Sequence, residues 1–246
     1  MQRSAPFFLF VAVSAFHLIA IATDWTAVER PSKLLLMPAL LLSVVLAVAL
    51  DRRPAADRRG ILALTLLGGG ILASWAGDAL LGEPGTTGFL VGLGGFAVAH
   101  VLYIALFAGP LRTRRLPWWA LGFALWLAVL VATLAPVLGG LLVPVVIYGI
   151  VLAGTAATAS GTNPITAIGA ILFFGSDSLL AFRMFWPDFD WPPASVVIMV
   201  LYCAGQGLIA FGAIRQLAER QPAPALDGVD AGETAGADSA TVLRLP

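Results

Sequence analysis

Apolar stretches follow one another along nearly the whole chain, separated by short polar ones. Eight of them fall near residues 6–23, 33–50, 61–82, 88–108, 117–135, 137–159, 164–186 and 193–217. Most approach the roughly 20 residues that a helix needs to cross the hydrocarbon of a bilayer. Alternating strand patterns are absent, and in lipid only a helix satisfies its own backbone within one segment. The pattern therefore predicts an all-α integral membrane protein with eight transmembrane helices. The breaks agree with turn chemistry: Arg53-Pro54 and Glu83-Pro84-Gly85 separate segments, and Asn163-Pro164 offers a cap followed by a first-turn proline.

The arginines orient this bundle. Arg52, Arg53, Arg58 and Arg59 lie between segments 2 and 3, and Arg112, Arg114 and Arg115 between 4 and 5. Arg3 precedes the first segment, Arg215 and Arg220 close the last, and the opposite loops offer Arg30 and Lys33. The positive-inside bias then places both termini in the cytoplasm of a multi-pass protein of the cell (inner) membrane. Segment 1, with Ala20-Ile21-Ala22 near its end, has some features of a signal peptide, but its apolar run is longer than a typical signal core. Residues 221–246, rich in Ala, Gly, Pro and Asp, read as a disordered cytoplasmic tail behind a membrane domain over 1–220.

Composition removes function classes. Of 246 residues, 59% are hydrophobic and 11% charged, the mean hydropathy is +0.93 and the formal net charge is zero. That excludes a soluble domain and leaves no basic patch for nucleic acid. Cys203 is the single cysteine, so no internal disulfide forms. Two histidines without short helical spacing and no cysteine cluster argue against a metal or other cofactor.

A repeat runs through the apolar pattern. Gly77-Asp78-Ala79-Leu80-Leu81 and Ser176-Asp177-Ser178-Leu179-Leu180 stand 99 positions apart, and each is followed at the same interval by Val-Leu-Tyr, ending at Tyr103 and Tyr202. A weaker echo pairs Lys33-Leu34-Leu35-Leu36-Met37-Pro38 with Gly139-Gly140-Leu141-Leu142-Val143-Pro144. With four segments per half, over about 1–116 and 117–220, this predicts a 4+4 parallel repeat about an axis along the membrane normal. Both copies keep an aspartate inside an apolar run, where a charge is costly and points to function.

Helical rise places Asp78 about 6 Å, His17 about 9 Å, Asp177 and Tyr202 about 13 Å and His100 about 18 Å from the extracytoplasmic ends of their segments. Lys33 and Arg183 fall near that boundary, while the inner half reads as nearly pure Leu, Val, Ala and Ile. A pocket opening outward is expected, not a through-channel. His100 shares a helix face with Tyr103, Tyr202 with Gln206, and Ser176 with Arg183. Glycines 88, 92, 94, 95, 205 and 207 allow close helix packing. Blander readings exist for each: Asp78 bonded to Trp75, His17 as a packing residue, Gln206 as interhelical glue, and Lys33 and Arg183 as cations that snorkel to the interface.

These residues resemble the YhhN or lysoplasmalogenase family of multispan membrane proteins. The similarity covers most of segments 2 to 8 and rests on Lys33, Met37 and Pro38, on Gly77-Asp78-x-Leu80-Leu81, on Gly92, Phe96, His100 and Tyr103, and on Ser176 to Leu180 with Tyr202 and Gln206. Many relatives carry Pro after the lysine, where this chain has Leu34. The resemblance implies hydrolysis of the vinyl-ether bond of lysoplasmalogens to a fatty aldehyde and a glycerophospho-ethanolamine or glycerophospho-choline. The partners it implies are a lysophospholipid substrate and membrane lipid.

Such chemistry protonates the terminal alkene carbon and captures the resulting oxocarbenium ion with water. Two carboxyls in a low-dielectric site can divide the tasks of acid and counter-ion, and the sequence leaves open which is which. Under the same resemblance Asp78, Asp177, His100, Tyr103 and Tyr202 form the catalytic set, and Lys33, Arg183, Ser176 and Gln206 the substrate-binding set. The rival class is a proton-coupled or small-solute transporter, because duplicated bundles with carboxylates at mid-depth also describe carriers.

Overall fold

Two helices, those that begin after Asp57 and Asn163, start where the sequence supplies partners for the first free backbone N–H groups. The Asp57 carboxylate accepts from Gly60 N at 2.6 Å, and Asn163 Oδ1 accepts from Thr166 N at 3.0 Å with Pro164 in the first turn. The computed structural model describes residues 4–83 and 85–220. Among the described residues the helices are α1 (Phe8–Ala22), α2 (Thr26–Leu50), α3 (Arg58–Leu81), α4 (Gly85–Ala108), α5 (Leu121–Leu138), α6 (Leu142–Ala159), α7 (Pro164–Phe185) and α8 (Ala194–Arg220). Short 3-10 turns precede α1 and α5 and join α5 to α6. The expected tail over 221–246 lies outside the described residues.

Among the described residues seven helical stretches are long and apolar enough to cross a membrane, and the protein is an all-α, multi-pass membrane protein. One stretch, Trp118–Ala159, contains both α5 and α6. Gly139, at φ +50°, breaks it, and α6 folds back to pack on α5. The sharpest departure from the sequence-based boundaries is in α2, which begins two turns earlier than the apolar run at 33. Hydropathy loses the trace at Glu29, Arg30 and Lys33, but nothing in those side chains stops a helix. Lys33 is therefore inside a helix, not at its start.

Pro38 sits in the interior of α2 and lacks the N–H that would bond the carbonyl of Leu34. Trp75 on α3 donates its indole N–H to that carbonyl at 3.0 Å. The proline thus pins α3 to α2, and Trp75 is not the partner of Asp78. Adjacent helices pack as pairs, α1 with α2, α3 with α4, α5 with α6 and α7 with α8; α2 also meets α3 and α8, and α6 meets α4 and α7. Lipid tails are as apolar as leucine, so close approach and interhelical hydrogen bonds hold such a bundle. Gly95 meets Gly77 and Gly205 meets Gly169, where an added Cβ would stand 2.9 Å from the opposing backbone in both cases.

The arginine-rich end is closed by polar groups that face one another, so it is less purely apolar than the sequence suggests. Gln216 Nε2 donates to the Leu111 carbonyl at 2.6 Å, Asn163 Nδ2 donates to Gln216 Oε1 at 2.8 Å, and Arg59 and Arg220 both reach the Pro110 carbonyl. The middle is filled by Phe96, Tyr103, Phe107 and Phe173. Above that aromatic layer, at the end opposite the arginine-rich loops, the helices separate.

Candidate functional site

The gap is a cavity of about 190 Å³. Its walls come from the C-terminal ends of α1, α3 and α7, the N-terminal ends of α2, α4, α6 and α8, and the middle of α5. Apolar side chains, leucines and phenylalanines foremost, make up most of the lining, the character of a slot for an apolar tail. Within it lie Asp78, Asp177, Lys33, Tyr148, Tyr202 and Arg183.

Asp78 is 5% exposed and fully engaged. Lys33 Nζ is 3.1 Å from Oδ1, and the Tyr202 hydroxyl donates to Oδ2 at 2.6 Å. The carboxylate of α3 is thus held by a cation from α2 and a phenol from α8. Asp177 on α7 is only partly buried and has no ion pair among the described residues. Its Oδ2 accepts from the Tyr148 hydroxyl. His100 Nε2 lies 3.2 Å from that same phenolic oxygen, and His100 Nδ1 lies 3.1 Å from Thr155 Oγ1.

The cavity gathers six of the nine residues expected from the sequence: Lys33, Asp78, Ser176, Asp177, Arg183 and Tyr202. His100, Tyr103 and Gln206 do not line it. His100 is fully buried behind Tyr148, stacked edge-on against Phe173 at 4.8 Å. Tyr103 donates to Gln206 Oε1 at 2.8 Å, and Gln206 Nε2 donates to Ser74 Oγ at 3.0 Å. These three residues tie α3, α4 and α8 together one layer below Asp78. Ser176 spends its proton on the Ile198 carbonyl at 3.0 Å, linking α7 to α8. Lys33 is not a free cation at the rim but the partner of Asp78, whereas Arg183 is exposed and without an ion pair among the described residues.

Tyr148 escaped the sequence reading. It stands alone as a polar side chain in the first half of α6, and the offset that sets Gly139–Pro144 beside Lys33–Pro38 pairs it with Leu42. A weak signal existed, since the chain has three tyrosines and the other two end the repeated triplets. Among the described residues no group of three His, Cys, Asp or Glu side chains is placed to hold a metal ion.

The sequence model of the YhhN family matches residues 28–213. The chain is 34% identical over 151 residues to "Lysoplasmalogenase TMEM86B" of Homo sapiens, a match covering 61% of this chain and 64% of that protein. To the Mus musculus protein of the same name it is 31% identical over 217 residues, 86% of each chain. To the Rattus norvegicus one it is 32% identical over 151 residues, 61% of this chain and 62% of that protein. The chain thus spans just under two thirds of the human and rat relatives and most of the mouse one. No solved structure matches it.

Proposed function

The chain belongs to the YhhN family, and from that premise we propose that it is a lysoplasmalogenase-type hydrolase, cleaving the vinyl ether of a lysoplasmalogen to a fatty aldehyde and a glycerophospho-base. The observation that carries this reading is a pair of carboxyls, Asp78 and Asp177, on one apolar cavity, each bonded to a tyrosine hydroxyl. A lysolipid supplies what that cavity lacks: a tail for the apolar walls, a phosphate for Arg183 at the rim, and between them an acid-labile bond. One carboxyl donates the proton to the alkene carbon remote from the ether oxygen, and the other faces the oxocarbenium ion as a counter-charge.

The same reading has eight spans, with α5 and α6 crossing separately, both termini cytoplasmic, and the cavity opening on the extracytoplasmic side of the inner membrane. A 4+4 repeat is supported by the neighbours each helix keeps: α3 with α4 answers to α7 with α8, α2 with α3 to α6 with α7, and α4 with α6 to α8 with α2. The decisive experiment is purified protein in detergent with a lysoplasmalogen, assayed for free aldehyde. Release without any ion gradient supports an enzyme; its absence, together with gradient-driven uptake in vesicles, supports a carrier.

A further inference from the structure

Resting on that reading, we infer that Asp177 is the proton donor and Asp78 the fixed counter-charge, with Tyr148 and His100 as a positioning relay behind Asp177. The argument is an inventory of protons. Lys33 Nζ has only donors to offer, and it takes Oδ1 of Asp78; the Tyr202 hydroxyl takes Oδ2. A proton on Oδ1 would point at an ammonium group. Asp78 therefore serves as the carboxylate.

Asp177 is arranged otherwise. Tyr148 occupies Oδ2, and no protein group among the described residues bonds Oδ1. Because Asp177 is partly exposed and lines the cavity, Oδ1 has room to carry a proton there. Behind it the donors run in one direction. Tyr148 gives its proton to Asp177, so its oxygen accepts from His100 Nε2–H, which leaves Nδ1 as an acceptor 3.1 Å from the Thr155 hydroxyl, in competition with the Val151 carbonyl at 2.9 Å. Tyr148 lines the cavity beside Asp177, and His100 stands behind it, off the cavity. The relay fixes which carboxyl oxygen is protonated and meets the negative charge that appears on Asp177 as the proton leaves.

The step balances without a co-reactant other than water. The Asp177 Oδ1 proton bonds the alkene carbon remote from the ether oxygen using the π electrons, and an ether-oxygen lone pair forms the oxocarbenium ion opposite Asp78. Water adds to the oxygen-bearing carbon of that ion and returns a proton to Asp177. The hemiacetal then collapses to aldehyde and a free glycerol hydroxyl.

Two measurements test this, and one needs no turnover. Infrared spectra of the detergent-solubilised protein should contain a protonated-carboxyl C=O band that Asp177→Asn removes, Asp78→Asn retains and Tyr148→Phe shifts; a band removed by Asp78→Asn instead overturns the assignment. In the aldehyde assay Tyr148→Phe should lower kcat roughly 30-fold and His100→Phe roughly tenfold, both with KM within about twofold. The double variant should be no slower than Tyr148→Phe, because His100 acts through Tyr148. His100→Gln, which keeps a donor, should recover most of the rate and guards against misfolding. Additive losses, or losses carried by KM, would overturn the relay. A wild-type protein that releases no aldehyde yet carries the Asp177 band would sink the hydrolase reading while leaving the proton on Asp177.

Discussion

Asp78 and Asp177 stand at matching places in the two halves of the chain, 99 residues apart, inside near-identical motifs, and their surroundings differ. Asp78 is buried, ion-paired to Lys33 and bonded by Tyr202, which comes from the other half. Asp177 is open to the cavity, has no ion pair among the described residues, and is bonded by Tyr148 from its own half. Tyr103, the counterpart of Tyr202 in the sequence, turns instead to Gln206. In the proposed repeat the two aspartates hold equivalent places, and their neighbours give them different chemistry. Two identical carboxyls would compete for one task; two unlike ones can divide acid and counter-ion between them.

The largest effect expected from breaking this asymmetry is on turnover. Asp177→Asn should reduce kcat by about three orders of magnitude, since the amide keeps the shape and removes the transferable proton. Asp78→Asn should also be severe, and it should in addition lower thermal stability in detergent, because it strands the Lys33 ammonium beside a neutral group. Aldehyde release and unfolding midpoints of the two variants measure this directly. Equal stability losses in both would mean that the ion pair does not distinguish the two sites.

Lys33 sharpens the comparison further. Its side chain is 29% exposed and that of Asp78 is 2% exposed, so the pair is mostly desolvated. Lys33→Met leaves the Asp78 carboxylate with the Tyr202 hydroxyl but no counter-charge in an apolar wall and should cost about 2 to 3 kcal/mol, below the figure for a fully buried pair because water reaches the lysine. The double variant Lys33→Met with Asp78→Asn should regain much of that stability without regaining activity. Additive destabilisation would dissolve the pair as a unit.

Much of this was legible in the sequence, for stated reasons. Helix positions follow hydropathy because the bilayer sets their length, and the cap at Asn163 follows local backbone chemistry, whereas the break expected at residue 136 falls at Gly139. Lys33 was misplaced because hydropathy marks where apolar side chains stop, and α2 continues through charged residues to Thr26. His100, Tyr103 and Gln206 stand out as polar residues in apolar helices, but spacing on one helix cannot tell a cavity wall from an interhelical contact. Tyr148 was invisible for the opposite reason: it has no counterpart in the repeat and no polar neighbour on its own helix, and its meaning arises only when α6 packs against α4 and α7.

The phenols of the two sites should rank with their partners. Tyr202→Phe removes one of two donors from Asp78 while Lys33 remains, and should lower kcat about tenfold or less, a smaller loss than Tyr148→Phe, whose carboxyl has no other partner. Steady-state kinetics on both variants decide the order, and the reverse ranking would make the Asp78 side the more sensitive one.

The smallest expected effect belongs to Arg183, and it tests whether the two cations differ as the two aspartates do. Lys33 is occupied by Asp78, so the phosphate-holding role expected of both falls to Arg183, exposed at the rim and without an ion pair among the described residues. Arg183 follows Asp177 on α7 by six residues, about 9 Å of helical rise, which leaves space for the linkage between a phosphate at the rim and an ether bond deeper in the cavity. A group that touches only the headgroup binds ground state and transition state alike. Arg183→Gln should therefore raise KM about tenfold with kcat within about twofold, while Arg183→Lys, which keeps the charge, should fall between. A collapse of kcat at unchanged KM would instead make Arg183 part of the charge balance around Asp177, and the two sites would then each have a cation after all.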